Sequence, residues 1–214
     1  MRRILFLLAA TMAMAAAQTA ELKVYIGTYT NKGSKGIYLT RLNTATGALT
    51  APELAAETPN PTFLTLAPSG KTLYAANEVG NFGGERTGSI TAFSVDAATG
   101  KLTQLNAVSS KGGGPCHVST DAKGRFCFAA NYGGGTVASY TIAADGKLSE
   151  AASSVQHEGK GANPKRQERP HAHSINASPD GRFAIAADLG TDELIVYAVD
   201  QKTGALSRHS AVKT

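Results

Sequence analysis

The sequence predicts an all-β fold, a β-propeller of four-stranded blades, on three observations. The first is a repeat. Seven residues after a turn glycine, a strand ending in Ala-Ala is closed by a polar residue: Gly70 leads to Asn77, Gly124 to Asn131 and Gly181 to Asp188. These glycines lie 54 and 57 residues apart, the period of one repeating supersecondary unit. The second is that each unit divides into four short strands separated by turn residues. The third is that nothing after the N-terminal segment shows a helical period. Four short strands per repeat of this length make one propeller blade.

The elements follow in chain order. The start, MRRILFLLAATMAMAAAQ, has two arginines, an apolar run from Ile4 to Ala17 and small residues before Gln18. That order predicts a secretory signal peptide over residues 1–17, with residues 18–214 as a partial propeller domain. The apolar run is shorter than the roughly 20 residues that span a bilayer, so no stable membrane anchor is expected after cleavage. The predicted address is periplasmic or secreted.

The first unit is incomplete. VYIGTYT (Val24–Thr30) resembles a second strand (B), GIYLTRLN a third (C), and the residues after Gly47 a fourth (D). The second unit is whole: A is Thr62–Ala67, B Thr72–Asn77, C Ser89–Val95 and D Leu102–Ser109. The third and fourth units repeat it, with Asp145-Gly146 and Thr203-Gly204 at their C–D turns. The far end, Ala205–Thr214, reads as strand D of the fourth unit, so no strand is left to complete the first. The expectation is about the first half of a larger ring, with C-terminal blades missing; a small four-bladed ring is the alternative. An open array exposes an unpaired edge and is expected to aggregate or to pair with a partner.

Lys and Arg total 21 against 16 Asp and Glu, a net charge of +5. Without Arg2 and Arg3 it is +3. That balance, with no basic stripe interleaved with aromatics, excludes nucleic acid as a partner and is compatible with an anionic small molecule. Cys116 and Cys127 lie on a predicted A–B hairpin. Folding it about Asp121–Gly124 sets Cys127 opposite Val118 and Cys116 on the diagonal, about 7–8 Å away, which favours two free thiols.

In a propeller the A strands line the channel, and the A–B turns share one face. The starts of the A strands and the ends of the B strands therefore share the other. That mouth gathers His117, Arg169, His171 and His173 with Asn77, Glu78, Asn131, Tyr132 and Asp188. The long connection VQHEGKGANPKRQERPH adds Lys160, Lys165 and Arg166, and glycines at 112–114 and 133–135 allow close backbone approach to a ligand. Such a set suits a polar small-molecule pocket. Plainer readings accompany it: Asn77 and Asn131 closing Asx turns, Asp188 capping its own loop, the basic loop a solvated arm. His171 and His173 share a strand face, but no third metal ligand is evident, so no metal is predicted. His157 and His209 have no supporting context and read as surface residues. No G-x-S-x-G, P-loop or G-x-G-x-x-G occurs, so neither a serine nucleophile nor a cofactor is predicted. Water activation by an imidazole or carboxylate, with cationic stabilisation of an oxyanion, remains.

At these residues the sequence resembles the seven-bladed propeller lactonase family, which includes propeller-type 6-phosphogluconolactonases. The stretches are YIGTYT (25–30), GPCHVSTDAKGRF (114–126), AANYGGGTV (129–137), VQHEGKGANPKRQERPHAHS (155–174) and SPDGRFAIAADLGTDELIVY (178–197). The resemblance implies a ring of seven blades and hydrolysis of a sugar lactone, phosphorylated or not; a related branch performs muconate cycloisomerisation. It implies His117 as base, Arg169 at the oxyanion or substrate anion, and Asp188 or Glu78 as the carboxylate. Asn131, Tyr132, His171, His173, Lys165 and Arg166 would bind substrate. Phosphorylated sugars belong to the cytosol, so the export signal favours an unphosphorylated aldonolactone. A non-catalytic periplasmic binding module is the rival reading.

Overall fold

The computed structural model describes residues 21–214, so the predicted signal peptide lies outside the described residues. The strands form four antiparallel sheets, each in chain order. The first holds β1 (Glu21–Ile26), β2 (Gly36–Asn43) and β3 (Glu53–Glu57). The second holds β4 (Pro61–Leu66), β5 (Thr72–Asn77), β6 (Ser89–Val95) and β7 (Leu102–Ser109). The third holds β8 (Pro115–Thr120), β9 (Phe126–Asn131), β10 (Thr136–Ile142) and β11 (Leu148–Gln156). The fourth holds β12 (Ala172–Ala177), β13 (Phe183–Asp188), β14 (Glu193–Val199) and β15 (Leu206–Lys213). Among the described residues there is no helix long and apolar enough to cross a membrane. The predicted three full units and one partial unit are these four blades.

The core is three layers rather than one mass. Ile37, Leu73, Ala75 and Phe93 fill the space between the first two blades. Tyr74, Ile90, Val118, Cys127 and Tyr140 fill the next. Phe128, Val137, Ile175, Ile195 and Tyr197 fill the third. β5 and β9 are buried along their whole length because both faces of their sheets are covered. β13 alternates instead, since one face of the fourth sheet is open and exposes Ile185, Leu194 and Val212.

Two backbone devices aim the rim. The turn glycines Gly70, Gly124 and Gly181 have φ of 68, 65 and 74°, a left-handed conformation that glycine adopts without penalty. Each inner strand is also bulged at its start, between Pro61 and Phe63, Pro115 and His117, and Ala172 and Ser174. Bulges re-aim side chains at strand ends. The residues set aside by them are Thr62, Cys116 and His173.

The turn at Asp121 corrects the expected hairpin register. Cys127 pairs with Thr120 rather than Val118. Asp121 accepts from the amides of Arg125 and Phe126, at 2.6 and 2.9 Å, which draws Arg125 into the turn. Cys116 and Cys127 thus sit toward opposite ends of the hairpin, and both are free thiols.

Candidate active site

The starts of β8 and β12 and the ends of β5 and β9 meet at one rim. His117 follows the bulge on β8. Its Nδ1 accepts the Ile175 amide of the next blade at 3.3 Å, and its ring lies 4.5 Å from Phe63, centroid to centroid. Burial, and secondarily His173, push its pKa down to about 4. The ring is therefore neutral at pH 7. With Nδ1 accepting, the ring proton resides on Nε2.

Tyr132, just past β9, organises the neighbouring imidazoles. His171 stacks on it at 4.4 Å, and its Nδ1 donates to the Tyr132 carbonyl at 3.0 Å. His173 meets the same ring edge-on at 5.8 Å. Arg169 donates to the Gly133 carbonyl, and its Nε lies 3.5 Å from Glu168. Glu168 also approaches His171 Nε2 at 3.4 Å. Its own backbone amide, His171 and Arg169 hold its carboxyl below the usual carboxylate range. On the other side of His117, Glu78 accepts the Tyr29 hydroxyl at 2.6 Å, which with burial raises that phenol to about 12. Between them, burial pushes the Cys116 thiol up to about 11, so it is no nucleophile at neutral pH.

Three residues expected at the mouth do not face the channel. Asn131 is fully buried: its Nδ2 donates to the Ser110 carbonyl at 2.8 Å and to Thr136 Oγ1 at 2.9 Å. It joins its blade to the preceding connection and has no open side for substrate. Asp188 is 2% exposed. Its Oδ1 accepts three amides, from His171 and Gly190 at 2.8 Å and from Thr191 at 3.0 Å. Its Oδ2 meets His157 Nδ1 at 2.6 Å. Burial raises the Asp188 carboxyl, but the His157 and amide hydrogen bonds outweigh it and hold it below its ordinary value. It lies on the same rim as His117 with both carboxylate oxygens engaged. Asn77 is likewise internal, tied to Thr58, Pro59 and Thr91.

His157 corrects the surface reading outright: it is 2% exposed. The signal was available, because His157 follows an outer strand as Thr58 and Ser110 do. Glu168 and Tyr29 were missed too. Glu168 stands inside the quoted RQERPHAHS run, off any strand, and Tyr29 inside YIGTYT, on the expected strand B but past the end of β1 at Ile26. Lys165 and Arg166 are exposed on the 157–171 connection and belong to its solvated side. The glycines expected to meet a ligand meet each other: the Gly134 amide donates to the Gly113 carbonyl, and the Tyr132 amide to that of Gly114, both at 2.9 Å.

No group of three or more His, Cys, Asp or Glu among the described residues is placed to hold a metal ion. A groove of about 510 Å³ between the second and third blades opens on the opposite, turn face. Lys71, Lys123, Arg125 and Asp145 line it, with no imidazole. The rim, not that groove, concentrates groups able to share protons.

Fold and rim define a propeller with a histidine- and arginine-bearing mouth. The chain belongs to the family described as "Lactonase, 7-bladed beta-propeller", which matches residues 23–214. It is 38% identical over 183 residues to a 6-phosphogluconolactonase of Bacillus subtilis, covering 86% of this chain and 50% of that protein. A proposed 6-phosphogluconolactonase of Bacteroides fragilis superposes with a TM-score of 0.84 at 32% identity, covering 93% of this chain and 56% of that one. The periplasmic gluconolactonase PpgL of Pseudomonas aeruginosa superposes at 0.80 and 34% identity, covering 88% and 53%. The chain thus spans about half the length of these relatives.

Proposed function

We propose that the protein is a lactone hydrolase acting on a sugar lactone outside the cytoplasm, with its substrate at the rim around His117. The observation that carries this reading is the His117 ring: neutral, held through Nδ1 by the Ile175 amide, with Nε2 left for a ligand. In this arrangement His117 acts as a hydrogen-bond donor to the lactone carbonyl as it becomes an oxyanion, rather than as the base. Arg169 adds positive charge beside it. With Asp188 spent and Glu168 engaged by Arg169 and His171, Glu78 takes a proton from the attacking water. Water adds to the carbonyl carbon, and the ring C–O bond then breaks. The leaving alkoxide takes up the proton, and the product is the open-chain hydroxy acid.

The family membership and the gluconolactonase relatives support the reaction class. The leader-like segment at 1–17 and the periplasmic relative support the address, and with it an unphosphorylated aldonolactone. The test is hydrolysis by the full-length protein of gluconolactone with and without a 6-phosphate, wild type against His117→Ala. Loss of one oxyanion donor lowers turnover by about 10²–10³. Unchanged turnover in the variant removes His117 from the reaction. No hydrolysis of any lactone, with ligand binding retained, turns the reading to a binding module. An absorbance change on a muconate alone turns it to cycloisomerisation.

A further inference from the structure

The outer-strand ends and the second-strand ends of three blades form one repeated contact, and the last copy differs. After β3, β7 and β11 stand Thr58, Ser110 and His157; at the ends of β5, β9 and β13 stand Asn77, Asn131 and Asp188. Asn77 donates to the Thr58 hydroxyl at 2.8 Å and Asn131 to the Ser110 carbonyl at 2.8 Å, both neutral contacts. In the fourth blade the contact is imidazole to carboxylate, at 2.6 Å and fully buried. An ionised acceptor makes a hydrogen bond roughly twice as strong as a neutral one.

The connections so secured also differ. Residues 58–60 and 110–114 are short, whereas 157–171 is a long loop. Long loops cost more to close and open more readily on their own. Asp188 grips both ends of this one: Oδ2 holds His157 at its start, and Oδ1 holds the His171 amide at its finish. Within it, Gln167 donates to the Leu189 carbonyl at 3.0 Å. Gly190 packs against Arg169 O and His171 N so closely that a Cβ there would displace the loop. Among the described residues Asp188 is the one polar partner of the His157 ring, since Nε2 is buried without another. The loop delivers Arg169 to the Gly133 carbonyl and His171 to Tyr132.

We infer that His157 and Asp188 are positioning residues, a buried clasp that closes the 157–171 loop and so holds Arg169 and His171 at the mouth. The inference rests on the lactonase reading only for its kinetic consequence; the clasp itself is testable without a substrate. Limited trypsin digestion of the native full-length protein reads it. In His157→Ala, cleavage after Lys160, Lys165 and Arg166 should quicken about tenfold or more, the change that one hydrogen bond to a charged group supports. Cleavage after Lys123, on the opposite face, should not change. Because Arg169 acts on the developing oxyanion, kcat for gluconolactone should fall by a similar factor, with KM changed far less. His157→Asn, which keeps an N–H near the Nδ1 position, should restore both.

Equal quickening at Lys123 and in the loop would mean general destabilisation and overturn the clasp. So would unchanged loop cleavage, or an Asn variant that behaves as Ala does. If His157→Ala fails to fold, Asp188→Asn, which keeps an oxygen for the His171 amide, gives the same comparison between loop and Lys123. Selective loop cleavage with no lactonase activity even in wild type would uphold the clasp and reject the lactonase reading.

Discussion

The third and fourth blades share one strand plan and differ in what covers them. Phe128 on β9 and Ile185 on β13 occupy the same place in their repeats. Phe128 is 0% exposed, packed between blades, and Ile185 is 42% exposed. The same split runs along the whole sheet: β9 is buried throughout, β13 only at alternate residues. A propeller strand therefore does not carry its own burial. The next blade supplies it, as in any quasi-repetitive stack where each unit contacts only its neighbours.

Substitution at those two positions should break the symmetry most. In the 214-residue chain, Phe128→Ala should cost about 3–5 kcal/mol, the usual loss for a buried phenylalanine. Ile185→Ala should stay within roughly 0.5 kcal/mol, as exposed positions do. Urea unfolding of both variants measures this. In a chain of the relatives' full length, Ile185→Ala should become costly too, at about 2–5 kcal/mol, if a further blade covers that face. Equal losses in the short chain would show that the open face is covered in solution by self-association.

A smaller effect separates the rim contacts. Asn131→Ala removes the side-chain donor to the Ser110 carbonyl and should cost about 1–3 kcal/mol in melting or urea experiments. It should leave the trypsin pattern of the 157–171 loop unaltered, because the Asn131 side chain reaches Ser110 and Thr136 and bonds no residue of that loop. A selective rise in loop cleavage would merge the two contacts into one network.

The smallest effect concerns pH. His117 has a folded pKa of about 4 against 6.5 for the free side chain. Between those values the unfolded chain binds a proton that the folded chain does not. Stability should therefore fall as pH drops from about 6.5 toward 4, and this contribution should level off below. His117→Gln should flatten that part of the urea-midpoint profile. An unchanged slope would assign the acid sensitivity to other groups.

Much of this was legible in advance for a physical reason. Turn glycines, alternating apolar residues and the recurring Ala-Ala-Asn or Ala-Ala-Asp ends are local signals, and the 54- and 57-residue spacing repeats them. They yielded strands close to those observed: Thr72–Asn77, Ser89–Val95 and Leu102–Ser109 are β5, β6 and β7. They also put His117, Tyr132, His171 and His173 on one rim. What they could not yield was direction. Asn131 and Asp188 end their strands on that rim, yet point into the blade. Whether a strand-end side chain turns to channel or core depends on bulges and on the neighbouring connection, and neither has a periodic signature.

Sequence alone determined the blade, because period-two alternation and turn chemistry act within a few residues of each other. It also determined which face collects the imidazoles, since strand direction reverses at each turn. Only the tertiary structure decided that Asp188 belongs to His157 rather than to a substrate, and that Glu78 and Glu168 remain at the mouth. The Asp188 and Glu78 outcomes rest on contacts between residues 31 apart or more and on the dryness around a single carboxylate, which come into being only when one blade packs on the next.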